Sequence, residues 1–231
     1  MSKPITVMVL VEGKAEKIFV TDLLAPELWV NMVFLDPVIV SKKGDKGGDV
    51  KFERVKNDIL THLKQRSDTY VTTMVDYYGV KEWPGVDNVP KNVTPGMIAD
   101  HVRKATMNKI ENKEFFPDDL QASRRFIPYM AVHEFEALLF SDSTILASEL
   151  QVDKNKVDAV LSKFKEPEAV NNSRETAPSK RLGDWLGVEE FPKTTLGIQI
   201  AKEIGLRKMR EQCPVFNNWL SQLENLTNIT Q

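Results

Sequence analysis

The chain has 231 residues, of which 42% are hydrophobic and 28% are charged, as in ordinary globular proteins. Its net charge of -2 argues against a protein that coats nucleic acid with uniform positive charge. A single cysteine, Cys213, excludes an internal disulfide framework and a cysteine zinc cluster. We find no apolar run of transmembrane length and no signal-peptide pattern, so we expect a cytoplasmic protein that does not engage a membrane.

The first element is an apolar run at residues 5–11, which predicts a strand buried on both faces of a parallel sheet. Glu12 follows it directly, and a helix is predicted over residues 15–24, ending before Pro26. Ligands of open α/β sheets bind outside the carboxyl ends of the strands. Glu12 is therefore a candidate for holding a hard cation or moving a proton. The competing interpretation is a solvated loop acid, with Glu16 as a favourable charge in the first helical turn.

A second extended run at residues 33–40 contains Pro37, which cannot donate to a sheet ladder, so this strand is predicted at a sheet edge. A basic loop follows, in which Lys46 and two further lysines flank three glycines whose amides can cradle a phosphate. The loop has no P-loop pattern, so we expect no nucleoside triphosphatase. Residues 50–64 carry apolar residues at helical spacing and predict a helix.

The third strand is predicted at residues 70–75 and ends in Asp76. A polar insertion follows over about residues 77–125 and carries one predicted helix near residues 95–108. The insertion therefore separates the third strand from the fourth.

The fourth strand is predicted at residues 126–132, and His-Glu-Phe-Glu follows it at residues 133–136. From about residue 141 the chain reads as short helices separated by prolines. Strands alternating with helices, followed by helices alone, predict a Rossmann-like α/β core in residues 1–140. In this prediction a mostly parallel sheet is flanked by helices, and residues 141–231 form a helical C-terminal region.

Acidic residues follow three separate predicted strands: Glu12, Asp76, and the pair Glu134 and Glu136. The carboxyl ends of parallel strands share one edge of a sheet, so these carboxylates are expected to converge there. Clustered carboxylates repel one another, and a bound divalent cation relieves that repulsion. Oxygen ligands favour Mg2+ or Mn2+ over zinc, and magnesium on such a sheet usually meets a phosphate. The pattern therefore predicts phosphoryl-transfer or phosphodiester chemistry.

The local conformation of residues 133–136 decides which of their side chains face one another. In an extended backbone Glu134 and Glu136 share a face. In a helix His133 and Glu136 are neighbours, an arrangement that would also suit a transition metal. The chain has three histidines, so a histidine-rich zinc site is disfavoured. We interpret His133 as a residue that orients a neighbouring acid.

Several of these motifs resemble Toprim proteins. Val11-Glu12-Gly13 and Asp76-Tyr77-Tyr78-Gly79 resemble the Toprim fold of topoisomerases, primases and OLD-family nucleases. The blocks His-Glu-Phe-Glu-Ala at residues 133–137 and Pro-Ser-Lys-Arg-Leu at residues 178–182 are similar to a Toprim-like family known mainly as a domain of unknown function. Its members are commonly encoded beside an AAA or SMC-like ATPase, in an arrangement like that of bacterial anti-phage defence modules.

The resemblance implies a set of site residues. It implies catalytic carboxylates at the ends of the strands: Glu12, Asp76, Glu134 and Glu136. The same residues, together with Glu16, would bind Mg2+ or Mn2+. The second acid of the Toprim Asp-x-Asp motif is replaced here by Tyr78. Glu16, Glu134 or Glu136 would therefore have to supply the ligand that this acid provides in Toprim proteins.

Two adjacent cations, Lys180 and Arg181, follow a proline in the second distinctive block. An arginine forks onto phosphate oxygens and a lysine supplies a point charge. Together with Lys46 they are the candidate substrate-binding residues. The competing interpretation is a solvated helix surface.

The leading hypothesis is a Mg2+-dependent Toprim-like nuclease that acts on DNA or RNA as the effector of an ATPase encoded nearby. One alternative is a non-catalytic module that binds nucleic acid or the ATPase, which Tyr78 in the acidic motif favours. A second alternative is a phosphatase or other phosphotransferase, for which Asp76 is the candidate nucleophile. The sequence leaves the oligomeric state open, and a homodimer is among the arrangements it allows.

Overall fold

The computed structural model describes residues 4–40, 50–170 and 175–229. Within these ranges, all strand pairs of the central sheet are parallel, in the order β2-β1-β3-β4, and β5 also pairs with β3. The carboxyl ends of the strands therefore share one edge. The strands are β1 (Ile5–Val11), β2 (Val33–Ile39), β3 (Thr69–Asp76), β4 (Phe126–Ile127) and β5 (Met130–Ala131).

This architecture confirms the predicted α/β class, with helices on the sheet and further helices towards the C-terminus. The edge position predicted for the second strand is also confirmed, because β2 pairs only with β1 among the described strands. Pro37 lies opposite Val9 in that pair. Since β2 has a neighbour on one side only, the sheet tolerates a residue that lacks a backbone donor.

The predicted fourth strand is split into two short strands, because Pro128 between them has no N–H to donate. Both halves keep the same register against β3, and a side chain bridges the gap. The Thr73 hydroxyl donates to the Tyr129 carbonyl at 2.7 Å and accepts from the Tyr129 N–H at 3.1 Å. A threonine in β3 thus replaces backbone pairing that the proline interrupts.

The prediction that the first helix ends before Pro26 is wrong. The chain stays helical from α1 (Lys14–Phe19) through a π-helical turn (Val20–Leu24) into α2 (Ala25–Trp29). Pro26 lies in the first turn of α2, and the π-helical turn immediately before it changes the hydrogen-bond register. The missing N–H of the proline therefore does not break the helix at this point.

The helices predicted near residues 50–64 and 95–108 are present as α3 (Phe52–Gln65) and α4 (Pro95–Ile110). No helix in the described ranges combines the length and the apolar character needed to cross a bilayer. The remaining α-helices are α5 (Ala122–Arg125), α6 (Ser143–Leu150), α7 (Lys154–Phe164), α8 (Pro178–Leu186), α9 (Ile198–Gln212, kinked at Gly205), α10 (Pro214–Glu224) and α11 (Leu226–Ile229). The 3-10 segments are Val86–Asn88, Asp118–Leu120, Phe135–Ser141 and Pro167–Ala169, and a second π-helical turn covers Lys193–Gly197.

Alternate residues of β1 belong to two apolar cores on opposite faces of the sheet. Leu10 faces the core formed with α3 and the insertion, whereas Val9 faces the core formed with α1, α9 and α10. On that second face Trp219 of α10 stacks on Tyr129 with ring centroids 4.2 Å apart. Its indole N–H donates to the Thr72 hydroxyl of β3 at 2.9 Å. The C-terminal helices therefore share a core with the sheet, and the division into residues 1–140 and 141–231 stays a prediction.

Candidate acidic site at the carboxyl edge of the sheet

The end of β1 supplies two acids. Glu12 is partly exposed directly after the strand, and α1 begins two residues later. Glu16 in the first turn of α1 is buried. Its carboxylate lies close to Gly13, because a Cβ atom at that position would be only 3.3 Å from Oε2 of Glu16. A negative charge in a first helical turn is stabilised by the free backbone N–H groups there. The turn between strand and helix therefore presents both acids close together in the chain.

The end of β3 supplies Asp76, which is the last residue of that strand and is buried. Its Oδ1 accepts a hydrogen bond from the N–H of Phe135 at 2.9 Å. Just beyond it, the N–H of Tyr78 donates to the carbonyl of His133 at 2.7 Å. These bonds hold the segment after β5 beside the end of β3, which brings the third group of acids to Asp76.

That third group adopts neither of the two regular conformations considered from the sequence. His133 has a positive φ of 69°, Glu134 is extended, and a 3-10 helix begins at Phe135. The two glutamates consequently meet different partners. The carboxylate of Glu134 accepts from the N–H and the hydroxyl of Ser179, at 2.8 and 3.0 Å. Glu136 is fully buried, and its Oε1 lies 2.7 Å from Nζ of Lys193.

The ring of His133 packs edge-on towards Tyr77, with ring centroids 6.1 Å apart. Burial lowers the pKa of His133 to about 4, so its imidazole is neutral at pH 7. A neutral imidazole can serve as an acceptor or as a donor. The role of His133 in orienting an acid stays a prediction.

The acids are close enough to influence one another electrostatically. Burial raises the pKa of Asp76 well above its ordinary value, and the charges of Glu136, Glu16 and Glu12 raise it further. Lys193 opposes this effect. The carboxylates from the ends of β1 and β3 and from the 3-10 helix thus converge at one edge of the sheet, as the strand-end pattern predicted.

The pKa of Glu136 is raised to about 7, mainly because of burial, although Lys193 opposes the shift. For Lys193 burial lowers the pKa, but the charges of Glu136 and Asp76 outweigh this and raise it above the ordinary value. A lysine from the C-terminal helical part therefore lies among the acids. The sequence does not indicate a role for Lys193, because its neighbours in the chain do not distinguish it from a surface lysine.

The chemistry of this donor set fits a hard divalent cation. All of its acidic groups offer oxygen, and Oε2 of Glu136 is buried without a hydrogen-bond donor among the described residues. Within those residues, however, no three acidic, histidine or cysteine side chains already stand in an arrangement that could hold a metal ion. The set of Mg2+ or Mn2+ ligands expected from the sequence, Glu12, Glu16, Asp76, Glu134 and Glu136, therefore stays a prediction.

The candidate substrate-binding residues differ in their surroundings. Lys180 is exposed on α8. Arg181 donates from Nε to the Thr176 carbonyl at 2.8 Å, and its guanidinium lies 5.6 Å from the ring centroid of Phe164. Its role in substrate binding stays a prediction. Lys46 lies outside the described residues.

Ser179 is a second residue of the site that was not predicted, although it lies inside the Pro-Ser-Lys-Arg-Leu block. The sequence pattern of that block predicted phosphate contacts from its two cations only. The structure shows instead that the serine at the start of α8 holds Glu134 through its backbone and its side chain.

Residues 11–224 match a family described as domain of unknown function DUF4276. Because this match covers most of the chain, the protein belongs to that family. Comparison with curated proteins gives no match, and comparison with solved structures gives none either.

Proposed function

We propose that this DUF4276 protein is a divalent-metal-dependent phosphodiesterase of the Toprim type, which cleaves DNA or RNA. The observation that carries the proposal is the convergence of acids on Asp76 at the carboxyl edge of a parallel sheet, including the partly exposed Glu12. Ligands of open α/β sheets bind at this edge. The Toprim and OLD-nuclease resemblance supports the same site.

A bound Mg2+ or Mn2+ ion would supply Lewis-acid activation of a phosphodiester and of water. The chain's own residues have separate roles around it. Asp76 and Glu12 supply negative charge, and Ser179 fixes the orientation of Glu134. Glu136 adds a further carboxylate, which pairs with Lys193 at 2.7 Å when no metal is bound.

The partners and the location are part of the same proposal. Nucleic acid is the substrate that the phosphodiester chemistry favours, and the resemblance favours an AAA or SMC-like ATPase as the partner that controls the nuclease in anti-phage defence. We place the protein in the cytoplasm, where both would be available to it.

The proposal is tested with the variant Glu12→Gln, which keeps the size of the side chain but removes the charge needed to hold Mg2+. We expect loss of divalent-dependent cleavage with little change in folding, because Glu12 is partly exposed. Cleavage of labelled DNA and RNA is measured with Mg2+ or Mn2+ and with a chelator, and thermal denaturation is recorded in parallel.

The matched control is Glu27→Gln in α2, an exposed acid that precedes β2 and does not follow the carboxyl end of a strand. Cleavage by Glu12→Gln at the wild-type rate would exclude Glu12 from the site, and a large fall in its melting temperature would indicate a structural role. Hydrolysis of a small phosphomonoester without cleavage of nucleic acid would favour the phosphatase alternative.

Lys180 provides a second test, because it is exposed and follows Ser179, which contacts Glu134. We expect Lys180→Ala to weaken binding of nucleic acid. The slope of log affinity against log salt concentration should fall by about one in magnitude, as for the loss of one phosphate contact. Binding is measured by fluorescence anisotropy at several salt concentrations, with Lys202→Ala as the control. An unchanged affinity and slope would assign Lys180 to the solvated surface of α8.

One observation favours a non-catalytic module as the second candidate function. Lys193 already pairs with the fully buried Glu136, so the protein itself neutralises one of its acids. Tyr78 also stands where the second Toprim acid is expected. Nucleic-acid binding that persists without any divalent-dependent cleavage would favour this candidate.

A further inference from the structure

The ion pair between Lys193 and Glu136 joins two residues in very different surroundings. Glu136 is 0% exposed, whereas the side chain of Lys193 is 36% exposed. The acid is fixed inside the 3-10 helix Phe135–Ser141, while the lysine begins the π-helical turn Lys193–Gly197. A flexible lysine stem that reaches solvent can move its ammonium group away, and a buried carboxylate cannot follow it.

The lysine contacts only one carboxylate oxygen of Glu136. Oε2 of Glu136 has no hydrogen-bond donor among the described residues. The N–H of Phe135, the residue between Glu134 and Glu136, donates to Asp76 at 2.9 Å, so the ion pair lies beside two further acids of the same cluster. Burying a carboxylate oxygen without a hydrogen bond is costly, so a cation that contacts this oxygen as well would be favoured in the same place.

We propose that Lys193 is an exchangeable counter-ion, which competes with a divalent cation for Glu136 and leaves the acidic cluster when that cation binds. This inference rests on the proposed metal-dependent function and adds its regulation. The lysine stabilises the cluster without metal and sets the metal concentration at which the site fills.

The competition has a measurable consequence. The apparent affinity for a ligand falls by the fraction of molecules whose site is free to accept it. If the paired state of Lys193 dominates, removing its ammonium group raises the apparent affinity for Mn2+ by about tenfold or more. The variant Lys193→Met removes the charge and keeps a long aliphatic side chain.

The experiment measures Mn2+ binding to the full chain by isothermal titration calorimetry and by the electron paramagnetic resonance signal of free Mn2+. The control is Lys202→Met, because Lys202 forms an ion pair of the same length, 2.7 Å, with Asp22 on the surface. We expect tighter Mn2+ binding in Lys193→Met and no change in the control. Mn2+ is also expected to raise the melting temperature of Lys193→Met more than that of wild type.

A second measurement uses the wild-type chain, in case Lys193→Met does not fold. Labelling of Lys193 by an amine-reactive reagent, read by mass spectrometry, is expected to increase when Mn2+ is added, while labelling of Lys202 stays constant. Protection of Lys193 by Mn2+, or labelling that Mn2+ leaves unchanged, would overturn the counter-ion role.

The outcomes separate this inference from the proposed function. Equal or weaker Mn2+ binding by a folded Lys193→Met overturns the counter-ion role but leaves a metal site in place. Absence of Mn2+ binding in both wild type and variant overturns the metal-dependent function together with the inference.

Discussion

Asp76→Asn is expected to abolish divalent-dependent cleavage and, in the absence of metal, to make the protein more stable. Asp76 is buried, and its pKa is raised by that burial and by the charges of Glu136, Glu16 and Glu12. Asparagine removes the repelling charge and keeps an oxygen that can accept from Phe135. We expect a gain within the range of about 0.5–3 kcal/mol that single substitutions usually produce, or roughly 1–12 °C in melting temperature.

The difference in stability between Asp76→Asn and wild type is expected to depend on pH. The pKa of Asp76 is higher in the folded protein than in the unfolded chain, where it is near 4. The protonated form of Asp76 therefore contributes its full stability below pH 4, and this contribution is lost as the pH rises through the pKa of Asp76 in the folded protein. The advantage of Asp76→Asn over wild type should therefore be small at pH 4 and grow with pH. Urea denaturation at several pH values measures it.

The matched control is Asp36→Asn, an exposed aspartate on the edge strand β2, which should change neither activity nor stability appreciably. An Asp76→Asn variant that is less stable than wild type at every pH would show that repulsion among the acids does not dominate. Normal cleavage by that variant would remove Asp76 from the proposed site.

Trp219→Ala is expected to cause a large loss of stability. Trp219 is buried, stacks on Tyr129 at 4.2 Å and donates to Thr72 at 2.9 Å, so it fastens α10 to the sheet. Truncating a buried tryptophan to alanine costs about 3–5 kcal/mol, which corresponds to a fall of roughly 6–20 °C in melting temperature for a chain of this size. Thermal and urea denaturation measure the loss.

Two further variants separate packing from hydrogen bonding. Trp219→Phe keeps an aromatic ring but loses the indole N–H, so its cost should be smaller than that of alanine. Trp29→Ala is the surface control, because Trp29 is 45% exposed. A Trp219→Ala variant as stable as Trp29→Ala, or wild-type unfolding in two separate transitions, would contradict a core shared by the sheet and the C-terminal helices.

Local sequence patterns determined most of the sheet. The run of apolar residues at Ile5–Val11 predicts a strand with the bounds that the structure shows, because both faces of β1 are buried. Pro37 predicts the edge position of β2, since its missing N–H can be tolerated only where a neighbour is absent. Parallel pairing then brings Glu12 and Asp76 to the same edge, as the order of the elements predicts.

Tertiary contacts decided the backbone conformation at two places where the local sequence predicts a different one. Pro26 indicates a helix end when only the sequence is considered, but a π-helical turn before it lets the helix continue. The 3-10 helix at Phe135 sends Glu134 and Glu136 to different partners, which neither a strand nor an α-helix would predict. These outcomes depend on how backbone groups pair with segments distant in the chain.

The sequence by itself determined the class of fold, the strand ends and the acids that follow them, because these depend on hydrophobic periodicity and on the residue next in the chain. Only the tertiary structure decided which groups meet those acids. Ser179 reaches Glu134, and Lys193 reaches Glu136, across 45 and 57 positions of sequence respectively, because the C-terminal helices fold back onto the sheet. Such contacts depend on α8 and the π-helical turn Lys193–Gly197 packing against Phe135–Ser141, and no local pattern around Ser179 or Lys193 encodes that packing.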